Sequence, residues 1–226
     1  MNELLTKGIG HTEFKDSELG RIPKSWEVKR LGNYSIIKGG KRLPKGSEFS
    51  ENPTPFAYIR VSDLKNGSVD TNNLRFVSEK VREHIKRYTI SEKDLYISIA
   101  GSIGIVGTIP SKLDGALLTE NAAKIVIKSE AIHYSFLYYL MNSPMVQRQF
   151  HQETGTGGGV PKLALFRIEG TTFSLPKISE QHRIVNVLQS LDRKLDTLVQ
   201  KLSQTQSLKK SLMQDLLTGK VRVAVD

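Results

Sequence analysis

From Ser179 to Leu217 the chain contains no glycine and no proline, the two residues least compatible with a helix interior. Within this stretch apolar residues fall at Ile184, Leu188, Leu191, Leu195, Leu198 and Leu202, alternating steps of four and three. Such spacing lines one narrow stripe of a single helix, the seam of a coiled coil. Ser179 is placed to cap the helix, ahead of Glu180 and Gln181, and Gly219 to end it. Residues 180–217 would extend about 57 Å at about 1.5 Å per residue. Thr205 stands where the seam should continue, and Leu208, Leu212 and Leu216 are expected on a displaced stripe, a slip that would alter supercoiling locally. A narrow seam buries itself best on another long helix, and no other part of the chain offers one of comparable length. The expected partner is therefore a second copy or another protein.

Upstream the pattern differs. Residues 1–19 read as a polar arm with a short helix near Leu4 and Leu5. Gly20 and Pro23 bracket a turn before Trp26, the single tryptophan, expected to anchor a core. Short β segments are predicted at residues 28–31, 35–38, 56–61, 95–100, 103–109 and 123–127, separated by Gly, Asn, Asp and Pro clusters. Ser135 to Met141 reads as a helix, Pro144 breaks it, and Met145 to Phe150 starts another. A loop from Thr154 to Lys162 follows, and then a strand from Gly170 to Leu175. The expected class is α+β: an arm (1–19), a β-rich domain (20–178), one long helix (179–218) and a tail (219–226).

The 226 residues carry a formal net charge of +10, which favours a polyanionic partner, nucleic acid first. With no cysteine, disulfides, zinc knuckles, iron–sulfur sites and thiol catalysis are excluded. No apolar run reaches the roughly 18 residues of a membrane span, and the start is no signal peptide. A cytoplasmic protein is expected.

Catalytic signatures are weak. Gly39-Gly40-Lys41-Arg42 lacks the earlier glycine and following Ser or Thr of a phosphate-binding P-loop. Asn52-Pro53-Thr54-Pro55-Phe56 resembles an amino-methyltransferase loop with one residue inserted and reads as a turn. The five histidines show no metal-ligand spacing on one helix. Asp16, Glu27 and Lys29 imitate a metal-dependent nuclease, in which the carboxylates hold a divalent ion and the lysine assists water. Binding chemistry fits better. Lys38, Lys41, Arg42 and Lys45 are interleaved with Gly39, Gly40 and Pro44, so backbone can approach a ligand while cations meet phosphates or guanine edges. Arg60 is expected at a strand end. Lys162 closes a Gly-rich loop suited to following a phosphate. Arg82, Lys86 and Arg87 offer a second basic face. The DNA-binding set is thus Lys41, Arg42, Lys45, Arg60 and Lys162.

Six short blocks in order carry a resemblance. They are Gly20-x-Ile22-Pro23-x-x-Trp26 with Leu31-Gly32, Tyr58 to Leu64, Asp94 to Gly104, Phe136 to Leu140, Leu175-Pro176-x-x-Ser179-Glu180-Gln181-x-x-Ile184, and Leu212 to Val223. Together they resemble the specificity subunits of type I restriction-modification systems, over about residues 20–223. Lys93 and Lys177 depart locally from the family pattern. The resemblance implies a non-catalytic subunit that reads half of a split DNA site. It implies methyltransferase subunits and a restriction/translocase subunit as partners, with S-adenosylmethionine, ATP and Mg bound by those partners and no cofactor in this chain. A full subunit of the family carries two recognition domains and two antiparallel helices, and this chain has one of each. Pairing of two copies along Ile184 to Leu216 would rebuild that shape with two-fold symmetry. Pairing with a longer subunit is the other expectation. The competing readings are a small Mg-dependent nuclease and a coiled-coil adaptor that does not touch DNA.

Overall fold

The computed structural model describes residues 2–65, 67–152 and 161–220. The chain divides into two compact units, one ending at Ile184 and one starting at Val185. The expected α+β class is what is found.

The first unit opens with α1 (Asn2–Lys7), followed by β1 (Phe14–Lys15) paired antiparallel with β2 (Ile22–Pro23). Leu5, Ile22 and Trp26 are buried, so the stretch read as an arm is built into the unit. β3 (Glu27–Arg30) pairs antiparallel with β12 (Thr172–Leu175), which joins the two ends of the domain.

Between them lie two four-stranded sheets. One has the order β6 (Arg75–Phe76), β5 (Ala57–Ile59), β10 (Ala116–Leu118), β7 (Thr89–Ile90). Here β5 and β10 are parallel, so both end at the same edge of the sheet. The other has the order β4 (Ser35–Gly39), β11 (Ala122–Ile127), β8 (Leu95–Ser98), β9 (Val106–Thr108), all antiparallel. β4 is an edge strand with one solvated face, and its residues alternate accordingly: Ser35 and Ile37 buried, Ile36 and Lys38 exposed. β8 lies inside the sheet and all four of its residues are buried. Tyr96 of β8 donates its hydroxyl to the carbonyls of Lys65 and Ser68, tying a loop to the sheet.

Helices cover this framework. α2 (Glu79–Ile85) is capped by Ser78, whose hydroxyl accepts the Val81 N–H at 3.4 Å. α3 (Tyr134–Met141) and α4 (Pro144–Gln152) meet at Ser143-Pro144, as proline at a first helical turn allows. α5 (Leu165–Gly170) had no sequence signal and packs along β4. α6 (Ile178–Leu217) starts one residue early, so Ser179 sits in the first turn and is not the cap. Glu180 and Gln181 donate their N–H groups to the Lys177 carbonyl.

The second unit is α6 from Val185 onward. Val185 and Leu188 are buried, as is Ile184 just before them, whereas Leu191, Leu195, Leu198 and Leu202 are 48–58% exposed. The helix runs without interruption to Leu217, so its heptad register continues. Leu212 and Leu216 therefore stand on the same seam as Leu191 and Leu195, three heptads on. The expected slip is corrected: Thr205 and Lys209 are polar residues at seam positions, and only Leu208 lies off it. Among the described residues no helix is long and apolar enough to cross a membrane.

Candidate nucleic-acid interface

The turn Thr119-Glu120-Asn121 links β10 to β11, one strand from each four-stranded sheet. Other segments converge on it through backbone hydrogen bonds. Thr119 donates its N–H to Ile59 at the end of β5 (3.0 Å), and Asn121 accepts from Ile99 beyond β8 (2.8 Å). Gly40 donates to Ala122 (2.9 Å) and Lys41 to Leu118 (2.8 Å), which brings in the end of β4. Leu163 donates to Ile99 (2.8 Å), and Ala100 bridges Lys162. The segments that carry Lys41, Arg42, Arg60 and Lys162 thus meet at one edge of the two sheets.

Gly40 makes this approach possible. A Cβ there would lie 2.0 Å from the Thr119 carbonyl oxygen and 2.3 Å from that of Leu118, far inside contact distance. Next to it the Tyr58 hydroxyl donates to the Lys41 carbonyl at 2.8 Å. Burial raises the Tyr58 phenol above its ordinary value, which keeps it protonated as that donor.

The five side chains do not share one role. Lys41 is exposed, with its ammonium 5.8 Å from the Tyr88 ring centre, a cation–π contact. Lys45 is exposed on the turn Pro44–Ser47, beside Ser78, Lys80 and His84 of the α2 region. Arg42 reaches back to Glu120, its Nε donating to Oε1 at 2.6 Å, while its side chain stays largely in solvent. Its pKa is raised by that hydrogen bond and the Glu120 charge. Lys162 is exposed, next to the Ala100-Gly101 turn.

Arg60 does sit at a strand end, but it is turned inward. Its Nε and Nη2 donate to the two carboxylate oxygens of buried Asp63, at 3.1 and 2.6 Å, and Nη2 also donates to the Asn73 carbonyl at 2.8 Å. Such a fork spends the guanidinium on its own loop. On α2 and the following turn, Glu83 pairs with both Arg82 and Lys86. The loop 153–160 lies outside the described residues.

Sequence reasoning missed Glu120, because an acid in an apparently ordinary turn gives no signal until its arginine is placed. It also missed Phe166, a 68% exposed aromatic on α5, close behind Lys162. The nuclease trio is not assembled as a metal site: the Glu27 carboxylate pairs with Lys29 and Asp16 is exposed in the first loop. Among the described residues no group of three or more His, Cys, Asp or Glu is placed to hold a metal ion. His133 and His182, far apart in sequence, do come together, with ring centres 4.4 Å apart.

A second cluster fastens the start of α6. Glu180 Oε1 accepts the Ile9 N–H (3.1 Å) and the His11 Nε2–H (2.7 Å), and Oε2 accepts the Trp26 indole N–H (3.0 Å). Gly8 passes so close that a Cβ would lie 2.5 Å from Oε1. Beside it, buried Gln181 accepts from His133 N–H (2.7 Å) and donates to the carbonyls of Ala131 (2.8 Å) and Pro176 (2.9 Å). The Gly20-x-Ile-Pro-x-x-Trp block and the Ser-Glu-Gln block, over 150 residues apart in sequence, are therefore one hydrogen-bonded unit.

This architecture is that of a type I specificity subunit. The crystal structure of the HsdS subunit from Thermoanaerobacter tengcongensis aligns with a TM-score of 0.59 over 89% of this chain and 47% of that one, a likeness of fold at 16% sequence identity. The family described as Type I restriction modification DNA specificity domain matches residues 23–206, and the chain belongs to it. It is similar to the type I restriction enzyme MjaVIII specificity subunit of Methanocaldococcus jannaschii, 29% identical over 99% of this chain and 53% of that protein. It is also similar to the EcoBI specificity subunit of Escherichia coli, 25% identical over 89% of this chain and 42% of that protein. The chain spans about half the length of the curated relatives it matches.

Proposed function

We propose that the chain is a sequence-reading subunit that binds one half of a bipartite site on double-stranded DNA, and that it performs no chemistry itself. The observation that carries this is the convergence at the 119–121 turn, which gathers Lys41, Arg42 and Lys162 at one sheet edge, with Lys45 further along the same segment as Lys41. In this arrangement Lys41, Lys45 and Lys162 meet phosphates and set the position of the domain. Arg42, held by Glu120, is the side chain aimed for a base edge. Arg60 acts from behind, by fixing the loop that follows β5. Family membership supports methyltransferase subunits and a restriction/translocase subunit as partners, with S-adenosylmethionine, ATP and Mg bound by them and not by this chain. The exposed seam from Leu191 to Leu216 supports pairing with a second copy, which would bring two recognition domains to inverted half-sites.

The test is binding to random-sequence duplex over a salt series. Phosphate contacts release counterions, so affinity falls with salt, and each lost contact reduces the log–log slope by about 0.9. Substituting Lys41, Lys45 and Lys162 together by alanine is expected to flatten the slope and weaken binding by tenfold or more. An unchanged slope would remove these lysines from the interface. Binding by the intact chain that ignores salt would favour an adaptor that does not touch DNA.

A further inference from the structure

We infer that Arg42 reads a guanine, so that the half-site holds a G·C pair at a fixed place, and that Glu120 is the positioning residue that makes this reading selective. This rests on the proposal that the chain binds DNA and goes beyond it in naming a base.

Arg42 leaves the sheet edge from a fixed point. The Lys41 N–H donates to Leu118 (2.8 Å) and the Lys41 carbonyl accepts the Tyr58 hydroxyl (2.8 Å), so the backbone just before Arg42 is held on both sides. Glu120 is rooted in the same way. The hydroxyl of buried Thr119 donates to Glu120 Oε2 (3.0 Å), while the Thr119 N–H donates to Ile59 at the end of β5 (3.0 Å). Burial works against the Glu120 charge, but the hydrogen bonds from Arg42, from its own backbone and from Thr119 outweigh it and lower its pKa. The pair therefore joins two full charges, each tied to a strand end.

A guanidinium is planar, and it can offer two parallel N–H groups along an edge. Glu120 takes only Nε of Arg42, at 2.6 Å. Nη1 and Nη2 have no hydrogen-bond partner among the described residues, and the side chain is 78% exposed. The outer edge is thus free while the Nε contact restrains the plane. Two parallel donors call for two acceptors. In the major groove guanine presents O6 and N7, whereas adenine and cytosine present an amino group and thymine one oxygen beside a methyl. A phosphate also offers two oxygens, but the Glu120 carboxylate on the same guanidinium repels a second anion there. No other candidate cation has this arrangement. Lys41, Lys45 and Lys162 are point charges without a fork. Arg60 has spent Nε and Nη2 on Asp63 and Asn73.

Selection from a random duplex library by the full chain should yield a motif with one guanine that cannot be exchanged. Replacing that guanine by 7-deazaguanine removes N7 and should weaken binding, whereas inosine keeps O6 and N7 and should not. Arg42→Ala should lower affinity for the selected duplex about five- to 150-fold, the range for a bidentate base contact. In that variant 7-deazaguanine should have no further effect, because the two changes remove the same contact. Arg42→Lys keeps the charge and should still lose the preference. Glu120→Gln should lower the ratio of selected to random-sequence affinity and steepen the salt slope on random duplex, as Arg42 turns to phosphate. An Arg42→Ala chain that still distinguishes guanine from 7-deazaguanine, or that weakens on both duplexes by one factor, overturns the reading of guanine, as does a motif with no required guanine. An unchanged ratio in Glu120→Gln removes Glu120 from it. All of these leave salt-dependent binding by the intact chain in place. Absent or salt-insensitive binding would instead overturn the DNA-binding proposal itself.

Discussion

Glu180 ties Ile9, His11 and Trp26 to the start of α6. Its burial would raise its pKa, but the hydrogen bonds from Ile9, His11 and Trp26 outweigh that and hold the carboxyl below its ordinary value. The unfolded group titrates near about 4.3. A depressed folded pKa means the stabilisation is present above that value and is lost as pH falls through the folded one. Trp26 is the only tryptophan and its N–H is one of the three donors, so its fluorescence reports the event. Its emission should change on acidification with a midpoint below the usual carboxylate range. Glu180→Gln should abolish that step and cost about 1.5–3 kcal/mol at pH 7, the range for hydrogen bonds to a charged group. Persistence of the step in the variant would assign it to another group. Gly40 acts at the same scale on the interface. Gly40→Ala forces the β4 end away from the Leu118 and Thr119 carbonyls, with an expected cost of about 1–3 kcal/mol in a denaturant melt and a matching loss of DNA affinity. Gly170→Ala is the comparison: like Gly40 it lacks the positive φ that strains an L side chain, but a Cβ there meets nothing within 4 Å. A Gly40→Ala loss no larger than that of Gly170→Ala would show that the close approach yields easily.

At the scale of elements, the long helix was legible because its periodicity is repeated many times and nothing in it competes. Its polar seam residues were the exception. Read without the continuous backbone, Thr205 and Lys209 suggest a break in phase, whereas the unbroken helix keeps Leu212 and Leu216 in register. β4 was legible from its alternation. β10 was not, because Ala116, Leu117 and Leu118 are all buried and a three-residue apolar run has no period. α5 is too short to show an amphipathic repeat and is held by packing against β4. At the interface, the glycine-and-lysine segment was visible in the sequence. The Arg42–Glu120 and Arg60–Asp63 pairs were not: one joins residues 78 apart, and the other turns a cation inward where exposure was expected. Lys209 supplies the element-scale prediction. If the seam is buried by a partner helix as proposed, Lys209→Leu replaces a charged seam residue with an apolar one and should raise the thermal midpoint of α6 unfolding. An unchanged midpoint would mean that position 209 is not covered.

For the whole molecule, the proposed pairing of two copies would have its consequence in the symmetry of the DNA. Two copies related by a two-fold axis present the same recognition edge in opposite directions, so the preferred target is an inverted repeat with a fixed gap. A chain that bound alone would select a single short element without symmetry. Selection from a random duplex library separates these outcomes and works for any target sequence. The intact chain should enrich inverted repeats at one spacing. Leu198→Asp places a carboxylate in the centre of the apolar seam and should give a monomer, since an unpaired charge there costs more than the contacts return. That variant should enrich only the half-element, with affinity lowered by the loss of the second domain's contacts. Because Leu198 is exposed in the second unit, the first unit should keep its own stability, and the salt dependence per domain should be unchanged. Inverted repeats recovered equally by the monomeric variant would mean that the symmetry lies in the DNA sites themselves, not in the helix pair.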